Sequence, residues 1–131
     1  MPRARTLTAA YAHFGAAPRN PRWSWSAVTP DQKTVVVTLW EDETAPDGSV
    51  DFFDHPKIER WQNQLGNKER IANLQIAQAK CGGEFRVVRV RAKDIKASPR
   101  KIADRWADEI AVMHLTKLDP VTGEFAAVRI R

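Results

Sequence analysis

A chain of 131 residues with a formal net charge of +5 has the size of one domain, and we expect a single globular domain over residues 1–131. Hydrophobic residues make up 43% of the sequence and charged residues 28%, a balance that supports a folded core and excludes a disordered chain. One cysteine, Cys81, excludes an intramolecular disulfide, and there is neither an apolar run of membrane-spanning length nor the apolar centre of a secretory signal, so we expect a cytoplasmic protein without a membrane partner.

The first third of the chain predicts a short helix followed by a β-hairpin. Apolar residues at helical spacing predict an amphipathic helix over residues 7–14. Residues 22–28 and 34–40 are typical of two strands joined by a turn. Because side chains alternate along a strand, we expect Trp23 and Trp25 to share one face of this hairpin.

An acidic segment and a helical region come next. Residues 41–54 contain six acids and no lysine or arginine, and we expect a loop with one short extended piece at residues 50–53. Helical character resumes near Pro56. A second helix, capped by Asn67, is predicted to run through Lys80.

The chain is predicted to be organised around a strand at Phe85–Arg91. Three valines and a phenylalanine favour a strand, yet the alternation places Arg86 on one face and both Arg89 and Arg91 on the other. Guanidinium groups on both faces are incompatible with a dry core on both sides. We therefore expect this strand to lie where the sheet meets solvent or a bound anion.

The end of the chain predicts a helix and a second hairpin. Ser98 and Pro99 form a typical helix start, so a short helix is expected as far as Trp106. Residues 110–118 and 125–130 are predicted strands. The expected fold class is α+β, with a curved, mostly antiparallel five-stranded sheet, half-open and barrel-like, packed with three to four helices.

The charge is unevenly distributed. Residues 86–105 hold eight basic groups against two acids, which favours a polyanionic partner. Two arginines also stand beside the tryptophan hairpin, where they could contact phosphates. The candidate nucleic-acid-binding residues are therefore Arg19, Arg22, Trp23, Trp25, Arg89, Arg91, Lys93, Lys96, Arg100 and Lys101.

The preferred hypothesis is a nucleic-acid-binding module without catalytic activity, with DNA favoured over RNA. The basic residues would grip phosphates, and the tryptophans would stack on an exposed base or on one flipped out of a duplex. The same tryptophans could instead belong to the core, since tryptophan buries a large apolar area.

Two other functions stay open. The acidic residues within 41–55 could hold Mg²⁺ for a nuclease, although their spacing matches no metal motif. The opposed acidic and basic faces could instead serve a protein-interaction module, including a homodimer. No catalytic residue, metal ligand or cofactor is predicted.

Overall fold

The computed structural model of the chain describes residues 4–55 and 58–131. The strands are β1 (Ser26–Val28), β2 (Val35–Trp40), β3 (Val50–Asp51), β4 (Glu84–Ala92), β5 (Ile102–Ala107), β6 (Met113–Leu118) and β7 (Phe125–Arg129). The helices are α1 (Leu7–Ala12), the single turn α2 (Ile58–Trp61) and α3 (Leu65–Lys80), with a 3₁₀ turn at Glu41–Glu43. The helix start predicted near Pro56 lies outside the described residues.

All seven strands belong to one open sheet in the order β1-β2-β4-β6-β7-β3, with β5 added beside β4. Strand β4 is central because both of its edges are paired. Residues 36–40 of β2 run parallel along one edge. On the other edge, β6 pairs antiparallel with residues 84–85, and β5 pairs antiparallel with residues 88–92.

Two hydrophobic clusters cover opposite faces of the sheet. Val37 and Val87 point towards α3 and pack with Leu74. Their neighbours Val36 and Val88 point the other way and join a cluster with α1. The alternation of a strand thus divides a continuous run of valines between two cores, as expected for strands with both faces covered.

The predicted five-stranded, half-open barrel with three to four helices is wrong. Seven strands form an open sheet with β1 and β3 at its ends, and within the described residues only α1 and α3 exceed one turn. The helix expected up to Trp106 is instead strand β5. Since β6 covers only residues 84–85 of that edge of β4, the backbone of residues 88–92 needs a second hydrogen-bonding partner, and β5 provides it.

The expectation that β4 faces solvent or a bound anion is wrong for most of the strand, in which only Arg91, near the end, is exposed. Val87, Val88 and Val90 are at most 1% exposed, and Arg89 is only 7% exposed. The guanidinium of Arg89 donates to Asp108 Oδ2 at 3.2 Å and to Thr44 Oγ1 at 3.2 Å. The protein therefore supplies its own acceptors for Arg89.

Several local predictions are confirmed. The first helix, the hairpin of β1 and β2, the end of α3 at Lys80, and the last two strands all form within a few residues of their predicted positions. The predicted cap is wrong, because α3 begins at Leu65 and Asn67 lies buried inside its first turn. In the part of the chain that the structure describes, no helix is long and apolar enough to cross a membrane.

Candidate functional site

A cleft of about 540 Å³ opens beside the C-terminal ends of β2 and β4. Four large rings line it, those of Trp25, Trp40, Phe52 and Trp61, and we call it the aromatic cleft. Its volume is within the range of about 300–1,000 Å³ that is typical of small-ligand pockets.

The sheet and α3 together fix the position of Trp25. The N–H of Thr38 in β2 donates to the Trp25 carbonyl at 2.9 Å, which anchors the backbone just before β1. The Trp25 ring then lies directly against the first turn of α3 at Gly66, where an added Cβ would come within 2.6 Å of ring atoms. Glycine at this position therefore allows the helix to approach one wall of the cleft.

A buried cation, Arg70 of α3, lies behind the aromatic walls. Its Cζ is within 4.9–6.0 Å of four ring centroids, those of Phe125, Trp25, Trp61 and Phe52. Its Nη2 donates to Asn67 Oδ1 at 3.2 Å. The four distances from Cζ to the ring centroids are within the range in which a cation is attracted to the face of an aromatic ring.

The charge of Arg70 persists at neutral pH although the side chain is buried. Burial lowers the pKa of Arg70 to about 10, and the negative charge of Glu43 opposes that shift. A pKa near 10 leaves the guanidinium protonated at pH 7. The cleft therefore has a fixed positive charge behind its rings.

A chain of three polar side chains runs along the cleft. The indole Nε1–H of Trp61 donates to His55 Nδ1 at 3.4 Å. The other ring nitrogen, His55 Nε2, lies 3.1 Å from Glu43 Oε2. Glu43 and His55 both line the cleft, and Glu43 belongs to the 3₁₀ turn that follows β2.

The opposite side of the cleft is held by Arg100. Its guanidinium donates to both oxygens of Asp42 at 2.8 and 2.7 Å, and its Cζ lies 5.0 Å from the centroid of the Trp40 ring. The hydrogen bonds to Asp42 raise the pKa of Arg100. This arginine acts mainly as a rigid support for Trp40, since its charge is already paired.

Three of the sequence-predicted site residues line the cleft, namely Arg22, Trp25 and Arg100. Trp23 is placed differently from the prediction. It lies in the turn before β1, where its N–H donates to the Asn20 carbonyl, so it is not part of a strand face shared with Trp25.

The predicted basic residues fall into two groups. Lys93, Lys96 and Lys101 are exposed on the loop between β4 and β5, whose residues 97–100 line the cleft, and Arg19 is exposed near Arg22. By contrast, Arg89 lies in the interior as described above, and the exposed Arg91 forms an ion pair with Asp104.

Sequence reasoning missed most of the cleft as a site. Trp40 and Glu43 lie together at the end of β2, whereas Phe52, Trp61 and Arg70 come from separate later segments, so no single spacing in the sequence connects the whole set. The one signal for the cleft in the sequence is its composition. Five tryptophans in 131 residues are more than a small core readily buries, so some of them are expected to line a surface or a cleft.

The acidic segment does not converge on a metal site. Glu43 pairs with His55, Asp42 pairs with Arg100, and Asp51 accepts from the N–H of Phe53. Among residues 4–55 and 58–131, no group of three or more His, Cys, Asp or Glu side chains lies close enough together to hold a metal ion. That the chain needs neither metal nor cofactor stays a prediction.

No protein-family model, curated protein or solved structure matches this chain. The chemistry of the aromatic cleft and of the surface around it is therefore the basis for assigning a function.

Proposed function

We propose that this protein is a nucleic-acid-binding module that takes one exposed or flipped base into the aromatic cleft. The observation that carries the proposal is the cleft itself, in which three tryptophans and a phenylalanine line a space of ligand size. Bases stack on aromatic side chains whatever their identity, because every base has a π face.

The buried guanidinium favours a base over a cationic ligand. Aromatic cages commonly bind cations, but here Arg70 already lies within 5.5 Å of the ring centroids of Trp25 and Trp61. A second cation against the same rings would meet the charge of Arg70 at short range. A neutral, flat and polarisable base carries no such penalty.

The exposed lysines beside the cleft favour binding of a phosphate backbone next to it. Lys93, Lys96 and Lys101 are carried by the β4–β5 loop, and Arg22 stands on the rim formed by the segment before β1. Lysine and arginine that contact phosphates release condensed counterions, which stabilises binding at low salt. A strand that crosses the cleft would thus meet cations on both sides.

The proposal concerns binding, and it assigns no catalytic role to any residue. DNA is the first partner to test, with RNA as the comparison. A homodimer and a cytoplasmic location stay predictions.

Replacing Trp40 with Ala should weaken binding of a single-stranded oligonucleotide about tenfold to a hundredfold, in line with the roughly 1–3 kcal/mol that one base gains by stacking. Trp23→Ala is the matched control, because Trp23 lies outside the cleft and should change the affinity by less than about twofold. Fluorescence anisotropy gives both affinities, after circular dichroism has established that each variant is folded. Equal losses in the two variants would contradict the proposal.

Replacing Lys96 and Lys101 together with Gln should weaken binding at low salt and flatten its salt dependence. Each lost phosphate contact on a single strand lowers the slope of log K against log salt by about 0.7, so two contacts lower it by about 1.4. The control pair is Lys33→Gln with Lys80→Gln, at the opposite ends of β2 and α3 from the cleft. An unchanged slope in the first pair would remove this loop from the interface.

A further inference from the structure

The hydrogen-bond chain in the cleft runs in one direction only. An indole Nε1–H can donate but cannot accept, so His55 Nδ1, which faces Trp61 at 3.4 Å, must be the acceptor. In the neutral imidazole the proton then resides on Nε2, which donates to Glu43 Oε2 at 3.1 Å. Trp61 therefore fixes the tautomer of His55, and His55 fixes one oxygen of Glu43.

The second oxygen of Glu43 is left as an acceptor in the cleft. Among the residues that the structure describes, no group donates a hydrogen bond to Glu43 Oε1, and the side chain is 24% exposed. The backbone at Glu43 is positioned by the 3₁₀ turn, which begins directly after Trp40, and by the hydrogen bond that Thr44 accepts from Arg89. The cleft thus presents a fixed acceptor among rings on which a base would stack.

We infer that Glu43 selects a base that carries an exocyclic amino group, which means cytosine, adenine or guanine, against uracil and thymine. This inference rests on the proposed function, since it names the class of base that the aromatic cleft accepts. A carboxylate oxygen accepts well from an amino group such as N4 of cytosine. The Watson–Crick donor of uracil is a ring N–H that lies between two carbonyl oxygens. Both oxygens are acceptors, and they would face the carboxylate of Glu43, which is also an acceptor.

The penalty for the wrong base comes from desolvation. Stacking removes water from Glu43 and from the edge of the base together, so two facing acceptors could no longer be satisfied by solvent. A site built around a buried polar group rejects a ligand that leaves this group unpaired. We therefore expect the wild-type protein to bind a short deoxycytidine oligonucleotide at least about tenfold more tightly than the deoxyuridine oligonucleotide of equal length.

Glu43→Gln is the informative variant. The Nε2–H of His55 must still be accepted, so the amide oxygen takes that position and the amide NH₂ group faces the cleft. The open position then changes from an acceptor to a donor without a change of shape. We expect the variant to lose affinity for deoxycytidine, to gain affinity for deoxyuridine, and so to abolish or reverse the preference.

Glu41→Gln is the matched control, because Glu41 belongs to the same 3₁₀ turn, is exposed and does not line the cleft. It removes the same charge and should keep the cytosine preference. Binding of both oligonucleotides to the three proteins is measured by fluorescence anisotropy.

The possible results separate the two proposals. A cytosine preference that Glu43→Gln abolishes and Glu41→Gln keeps supports the inference. Equal binding of the two oligonucleotides by the wild type, or a preference that survives Glu43→Gln, overturns the inference and leaves the base-binding function standing. If the wild type retains neither oligonucleotide at low salt, the proposed function itself fails.

Discussion

Replacing Gly123 with Ala is expected to destabilise the fold by about 4 kcal/mol, of which about 1–2 kcal/mol is the backbone cost of a left-handed conformation in a residue with a Cβ. The φ angle of Gly123 is +84°, and an added Cβ would come within 2.2 Å of Asn67 Oδ1. Asn67 is fully buried and donates to the carbonyls of Gln62 and Thr122, both at 2.9 Å. Moving it would break these hydrogen bonds and leave buried acceptors unpaired.

Gly82→Ala separates the two costs. Gly82 also has a positive φ angle, +62°, but nothing lies within 4 Å of an added Cβ, so only the backbone cost of about 1–2 kcal/mol should appear. Urea denaturation followed by circular dichroism measures the free energy of unfolding of both variants. An unchanged slope of this free energy against urea concentration indicates that only stability has changed. If Gly123→Ala were no worse than Gly82→Ala, the contact with Asn67 would have no energetic importance.

Replacing Asp108 with Ala is the second change with a large expected effect, a loss of about 3 kcal/mol. Asp108 Oδ2 accepts from the buried Arg89 at 3.2 Å, so its removal leaves the charge of Arg89 without an anionic partner. Asp108 Oδ1 accepts from the N–H groups of Ile110 and Ala111 at 3.2 and 2.9 Å. Asp108→Asn keeps an oxygen for these N–H groups while removing the negative charge, and should therefore be less destabilising than Asp108→Ala.

The contribution of Asp108 should depend on pH in a defined direction. Burial alone would raise the pKa of Asp108. Hydrogen bonds from the N–H of Ala111, the Arg89 side chain and the N–H of Ile110 lower it by more than burial raises it, so the pKa in the folded state lies below its ordinary value. A carboxyl with a lowered folded pKa contributes stability above its unfolded pKa, and this contribution disappears as the pH falls through the folded pKa. The stability difference between wild type and Asp108→Asn should therefore be constant near neutral pH and shrink below about pH 4. A difference that stayed constant down to pH 2 would contradict this assignment.

The predictions that succeeded depend on patterns within a few neighbouring residues. The valines of β2, the turn before them and the glycines after Lys80 act locally, and the structure confirms the elements that they indicate. The prediction of a helix for the residues that form β5 failed for the opposite reason. Its sequence, Ile102–Ala107, has one β-branched residue and two charges, so its extended conformation comes from pairing with β4 and not from local preference.

The candidate site could be predicted only in part, because contacts between distant segments decide the role of each side chain. The sequence around Arg89 gives no sign that Asp108, nineteen residues later, neutralises it. Trp25 was identified, yet its partners Trp40, Phe52 and Trp61 lie on separate segments. Lys93, Lys96 and Lys101 were predicted from their charge, and the structure places them on a loop that borders the cleft.

The contact between Gly66 and Trp25 bears on how the cleft can respond to a ligand. The Trp25 ring cannot turn towards α3, because the helix backbone occupies that space, and α3 is itself fixed to the core by Leu74 and Ala77. This contact restricts the rotamers that the ring can adopt before any ligand arrives, so less rotamer entropy remains to be lost on association. Such preorganisation favours recognition in a single step, with a rate set by diffusion and orientation and not by a rearrangement of the protein.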